Sequence, residues 1–277
     1  LFNRGAMGKA MKGNGDEMGF LEHLEELRWV LVRSAIAVFL SALGAFFMHR
    51  FIFDSILLRP KTPEFLTNKL LCLVAGKLNT PALCINSKPL DLINIDMAGQ
   101  FNTHIMVSVY AGFIVAFPYV IYQLWKFVSP ALYPNERRKT RGAVLTISAM
   151  FLTGVLFGYF VIVPLTIHFL GGYSVSDQVT NQINLRSYIS SISSLTLATG
   201  LIFELPVLVF FLTKIGLITP TFLRKYRKHA FIVVLILSAI ITPPDVLSMV
   251  LVALPLWLLF EGSIAVSARI VKQKLAE

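Results

Sequence analysis

Charge is what this chain has least of. Of 277 residues, 14% are Asp, Glu, Lys or Arg, 56% are hydrophobic, and mean hydropathy is +0.71. A soluble domain carries about a quarter charged residues, so that class is excluded. Acidic residues are the scarcer sign, 15 against 25 basic, giving a formal net charge of +10. In a soluble protein that excess would point to nucleic acid. Among long apolar runs it fits cytoplasmic loops beside anionic membrane lipids, and no nucleic-acid partner is expected. Histidine is also sparse: His23, His49, His104, His168 and His229 are scattered without metal-ligand spacing. No nucleophile elbow, phosphate-binding glycine loop or paired acid–base constellation is present. The chain is therefore not read as an enzyme, and neither a metal nor a cofactor is expected. Residues 1–28 lack a short apolar core, so no cleavable signal peptide is expected, and 1–19 read as a disordered cytoplasmic tail.

What is there is apolar sequence of membrane-crossing length. Six segments stand out, at about 29–48, 98–127, 142–170, 188–213, 230–241 and 246–260. In hydrocarbon every backbone polar group needs an internal partner, so these are read as helices. Nothing alternates at period two over ten-residue units, which excludes spanning strands. The expected fold is all-α: a polytopic integral membrane protein with six transmembrane helices in a domain over 20–265, and a cytoplasmic tail over 266–277. Arg137, Arg138, Lys139 and Arg141 follow the second segment, and Lys214, Arg224, Lys225, Arg227 and Lys228 follow the fourth. The positive-inside rule then puts both termini in the cytoplasm and the connection 50–96 outside.

The last two segments are short. At ~1.5 Å per residue they reach roughly 18 and 23 Å, against a hydrocarbon core of ~30 Å. A short hairpin beside longer helices is expected to leave a concave face, with the bilayer thinned around it. Its turn, Thr242-Pro243-Pro244-Asp245, cannot be helical through the prolines, and Asp245 can cap the sixth helix.

Glu204 is the only acidic residue deep inside an apolar run. A charge at bilayer depth costs about 2.5–3.5 kcal/mol on insertion scales. Serines and threonines from Ser187 to Thr199 precede it, and Pro206 is expected to kink the helix just beyond it. These hydroxyls serve either helix packing and back-bonding or a water-accessible groove leading to Glu204. At the other end of the chain, residues 19–28 read as an amphipathic interfacial helix, with Phe20, Leu24 and Leu27 on one face and Glu22 and Glu26 on the other. Its carboxylates, with Glu136 in the basic loop after the second segment, are either solvated surface groups or acceptors for a cationic partner; a guanidinium binds carboxylates bidentately. Cys72 and Cys84 both fall in the external connection, where an oxidising periplasm favours their pairing.

Several stretches, in order, resemble the TatC family, the polytopic core subunit of the twin-arginine protein translocase. They are Glu22-His-Leu-Glu-Glu-Leu-Arg28, Pro118-Tyr-Val-Ile-Tyr-Gln-Leu-Trp125, Ser129-Pro-Ala-Leu-Tyr-Pro-Asn-Glu-Arg-Arg138, Phe203-Glu-Leu-Pro206 and Thr242-Pro-Pro-Asp245. The resemblance implies recognition of folded precursors bearing an Arg-Arg signal peptide, and their export across the bacterial inner membrane by the proton-motive force. It implies that Glu26 and Glu136 bind the signal, accompanied by Arg28, Arg137 and Arg138. It implies that Glu204 is an intramembrane polar contact and Asp245 the outer-turn acid. It also implies single-span TatA and TatB partners docking near the last two helices, and self-association in a multi-subunit complex in contact with membrane lipids. The family often has a Gln about four residues after the turn's Asp; Met249 stands there. The loop 68–87 is expanded, with no assignable counterpart. Two other readings are a proton-coupled small-molecule transporter using Glu204 and a structural membrane scaffold. The transporter reading lacks an inverted repeat and matched broken helices.

Overall fold

The structure is a computed structural model and describes residues 20–80, 84–87, 90–128, 140–176, 178, 181–241 and 246–274. Five helical stretches among them are long and apolar enough to cross a membrane: Leu24–Phe47, Gly99–Phe127, Gly142–Gly172, Leu185–Lys214 and Val252–Lys272. The chain is a polytopic, all-helical membrane protein. The interfacial stretch and first span are one unbroken helix, α1 (Phe20–Phe47). A π-helical turn (Phe51–Leu57) and α2 (Leu66–Leu78) follow within the long connection, then α3 (Gly99–Val128) with Pro118 inside it. The third span comprises α4 (Thr140–Phe157), a π-helical turn (Gly158–Ile162) and α5 (Val163–Gly172). The fourth comprises α6 (Leu185–Ile202) and α7 (Leu205–Lys214), and α8 (Pro220–Lys225) leads into α9 (Arg227–Ile241) and α10 (Val246–Lys274). Outside the spans, Leu92–Ile93 pairs in parallel with Ile183–Asn184, a two-residue clasp between the two connections.

Predicted segment 230–241 is short, lying in the 15-residue α9. Predicted segment 246–260 is not: α10 has 29 residues and runs through Pro255. Glu261 ends the apolar run in the sequence but does not end the helix. Residues 262–270 contain no proline, Ser263, Ile264, Ser267 and Ile270 are buried, and Glu261 pairs with Arg227 at the start of α9. Packing and an ion partner carry the helix past the charge. The tail expected from residue 266 is therefore helix as far as Lys274.

Prolines set the two broken spans. Pro164 has no N–H and its ring crowds the carbonyl four residues back. The helix widens into the π turn just before it, and the freed Phe160 carbonyl accepts a hydrogen bond from the Thr67 hydroxyl of α2. Pro206 acts likewise, and the helix turns at Phe203–Glu204 between α6 and α7. Small residues set the packing, because lipid supplies no hydrophobic drive between helices and close backbone approach must do so. A methyl added at Gly112 of α3 would lie 2.5 Å from the Ala42 backbone of α1. Gly154 and Gly158, one helical turn apart, present a flat strip to α6; added methyls would lie 2.9 Å from Gly200 Cα and 3.1 Å from Thr196 Cα.

Candidate functional site

Glu26 lies in the early turns of α1 and is half-buried. Its Oε2 is enclosed and meets no hydrogen-bond partner among the described residues. Arg28 beside it is exposed. Helices α1 and α3 run antiparallel: Ala42 meets Gly112, and His104 stacks on Phe46 with ring centroids 4.0 Å apart. Counted from the Ala42–Gly112 contact, Glu26 lies as far along α1 as Val128 lies along α3. Glu26 and Val128, the last described residue of α3, therefore share one end of the bundle. Glu136, Arg137 and Arg138 lie outside the described residues, as do Pro243, Pro244 and Asp245, and as does the Glu22 side chain. Met249 is half-buried near the start of α10.

Glu204 stands at the N-terminus of α7, where the helix dipole favours negative charge. Both its carboxylate oxygens are enclosed and have no hydrogen-bond partner among the described residues. Pro206 is buried two residues on. The break falls at Glu204 itself rather than just beyond it, because the proline displaces the carbonyl of the preceding turn. Phe203 packs with Val234, Val252 and Leu256 of α9 and α10. Leu197, Val207 and Phe211 pack instead with Phe117, Ile147 and Phe151 of α3 and α4. Glu204 is spaced seven, three and seven residues from that second set, so it belongs to the face toward α3 and α4. The turn at Phe203–Glu204 gives the direction of α9 and α10 to Phe203.

An open pocket of about 1090 Å³ is bounded by α1, the Phe51–Leu57 turn, α2, α3, α4 and α6. Met48, Tyr110, Leu156, Tyr159, Ser193 and Thr196 are among its lining residues. The Thr196 hydroxyl is enclosed without a partner. Thr196 lies one turn before Gly200 on α6, and the helix ends at Ile202, before Glu204. At the Gly154–Gly200 contact the backbones close the way between the pocket and Glu204.

The expanded loop has a built interior. Cys72 and Cys84 are disulfide-bonded. Asn68, fully buried, donates to the carbonyls of Pro60 (3.1 Å) and Thr62 (2.8 Å) and accepts from Asn86 Nδ2 (3.2 Å). Asn86, at φ +48, also donates to the Pro164 carbonyl at 3.0 Å. Tyr159 and Tyr188 donate to the carbonyls of Ile56 (2.7 Å) and Leu57 (3.1 Å). Buried polar groups here are paired, as stability requires. The sequence reading missed Asn68, Asn86 and the Gly154–Gly158 strip; the last was legible as two glycines four apart in a span.

A family description, Sec-independent protein translocase protein (TatC), matches residues 22–255. The chain belongs to the TatC family. A TatC from Blattabacterium sp. subsp. Periplaneta americana (strain BPLAN) is 39% identical over 267 residues, 95% of this chain and 100% of that one. TatCy of Bacillus subtilis (strain 168) is 32% identical over 91% of this chain and 89% of its own. Two crystal structures of the twin arginine translocase receptor TatC also superpose. One has TM-score 0.65 at 31% identity, covering 90% of this chain and 100% of that one. The other, in DDM, has TM-score 0.68 at 32% identity, covering 89% and 99%. The TatC family is a transport family. This member is a multi-pass membrane subunit of the Sec-independent protein translocase.

Proposed function

We propose that this chain is the receptor core of a twin-arginine translocase, exporting folded precursors across the bacterial inner membrane at the expense of the proton-motive force. Both termini face the cytoplasm on this reading, as the Lys and Arg distribution favours. Glu26 and Glu136 take the paired arginines of the signal peptide. The observation that carries this is the half-buried Glu26 carboxylate, with an enclosed oxygen that lacks a partner among the described residues, at the end where the Glu136 segment begins. A carboxylate so placed is completed by a guanidinium. Arg28, Arg137 and Arg138 surround the site and help order the two acids. Glu204 then serves an inserted polar group, and single-span TatA- and TatB-type proteins dock near Met249 and the α9–α10 turn at Pro243, Pro244 and Asp245. The transporter alternative has no support in the family match.

The test is site-specific crosslinking of an Arg-Arg signal peptide to the full chain in proteoliposomes. Glu26→Ala and Glu136→Ala should each reduce it by about tenfold or more, as loss of ~1.5–3 kcal/mol of charge-assisted hydrogen bonding implies. A Lys-Lys peptide should lose a similar factor on the wild-type chain, and Glu25→Ala should change little. Undiminished crosslinking in both Glu variants refutes the assignment.

A further inference from the structure

Helix α2 carries two apolar faces, and only one is used within the chain. Asn68 and Ala75 are buried toward the protein, and Cys72, on the same side, ties it to Cys84. On the far side Leu66, Leu70, Leu73, Val74 and Leu78 recur at helical spacing and are 43–62% exposed. No acidic residue occurs between Leu66 and Leu78, whereas Lys69 is exposed beside the stripe and Lys77 is exposed on it, at its C-terminal end, where a long side chain can reach up to the headgroups. This is the pattern of a helix lying in a membrane interface, apolar side chains among acyl chains and basic ones at phosphate level.

Its height along the bundle agrees. Thr67 donates to the Phe160 carbonyl, and Phe65 stacks on the Phe160 ring at 5.5 Å. Counted from Gly142 at about 1.5 Å per residue, Phe160 stands roughly 27 Å along its span. The hydrocarbon core is ~30 Å thick, so α2 starts near the core's far edge. Its Leu66 and Lys69 line the same open pocket as Met48, Phe51 and Leu156 at the ends and sides of the spans. The stripe is thus continuous with surface that already faces lipid.

We propose that α2 is a membrane-anchoring helix, with Leu66, Leu70, Leu73, Val74 and Leu78 in contact with phospholipid acyl chains and Lys69 and Lys77 at the headgroup phosphates. It gives the expanded 68–87 loop a role: the disulfide and the Asn68–Asn86 pair hold the helix, and the helix holds the loop down on the bilayer at the pocket's rim. The assignment is independent of signal recognition.

The experiment places the photocrosslinker p-benzoylphenylalanine at Leu70 or Leu73 of the full chain in vesicles of phosphatidylethanolamine and phosphatidylglycerol. Leu152, lipid-facing on α4, and Ser176, on the polar connection after α5, are controls. Intact mass after illumination reads the adduct. Leu70 and Leu73 should acquire one phospholipid mass as often as Leu152 does, about fivefold or more above Ser176, as interfacial burial implies. Both sites are exposed, so the substitution leaves the packed face of α2 intact. Adducts at the Ser176 level overturn the proposal, as does crosslinking mainly to a second polypeptide, which would make the stripe a protein interface instead.

Discussion

Both carboxylate oxygens of Glu204 are enclosed and make no geometric hydrogen bond among the described residues. The positive end of α7 compensates by about 0.3–1 kcal/mol at exposed sites and up to ~2 when partly buried. A charge at bilayer depth costs more, ~2.5–3.5 kcal/mol. On the proposed function the remaining hydrogen-bond need is met by a group arriving from outside the chain. Glu204→Gln, which can still donate and accept, is expected to keep partial export. Glu204→Ala is expected to weaken crosslinking to single-span partners several-fold while Arg-Arg peptide crosslinking stays near wild type; the two assays side by side decide it. Wild-type export by Glu204→Ala would show that the carboxylate is dispensable.

At the scale of elements, the spans are joined by glycine where they touch and bent by proline where they break. The α4–α6 contact leaves no room: a methyl at Gly154 would lie 2.7 Å from Phe203 Cβ, and one at Gly200 2.8 Å from Val155 Cγ2. Gly154→Val is therefore expected to push α6 away, lowering stability in detergent by about 1–3 kcal/mol, the usual cost of overpacking. Displacing α6 also moves Glu204, so export should fall with it. Gly142→Ala, where an added methyl meets nothing within 4 Å, is the matched control. Thermal unfolding of the two proteins, read by circular dichroism, distinguishes them; equal melting points would refute the tight α4–α6 contact.

Across the whole molecule, the two connections on one side are a folded layer rather than loops. The Tyr159, Tyr188 and Asn86–Pro164 hydrogen bonds fasten the first connection to the third and fourth spans, the Leu92–Ile93 clasp ties it to the second connection, and the Asn68–Asn86 pair and the disulfide hold it together internally. Linking Cys72 to Cys84 restricts the unfolded chain by ~3 kcal/mol in the chain-entropy model. Cys72→Ser with Cys84→Ser is expected to lose about that much and to make the loop the first site cut by added protease. A double variant as stable and as resistant as the wild type would assign the loop's order to its hydrogen bonds alone.

Sequence by itself determined the membrane class, the helices and most of their ends. Long apolar runs and scarce charge leave backbone groups no partner but each other, and that is a local property. It also pointed to the bend at Pro206, which lacks an N–H, whereas Pro118 and Pro255 lie inside continuous helices and the break before Pro164 was not anticipated. Glu204 was legible because it is conspicuous against apolar surroundings, whereas Glu26, among other charged residues, stood out only through the family resemblance. Tertiary structure decided what depends on neighbours. Glu261 ends an apolar run in the sequence, but Arg227 from another helix lets α10 continue past it. The turn at Phe203–Glu204 sends Phe203 toward α9–α10 and Glu204 toward α4. Distant residues meet to pair Asn68 with Asn86, and a pocket opens beside α1 and α3. Periodicity reports which way a side chain points from its own helix; only packing fixes what it meets there.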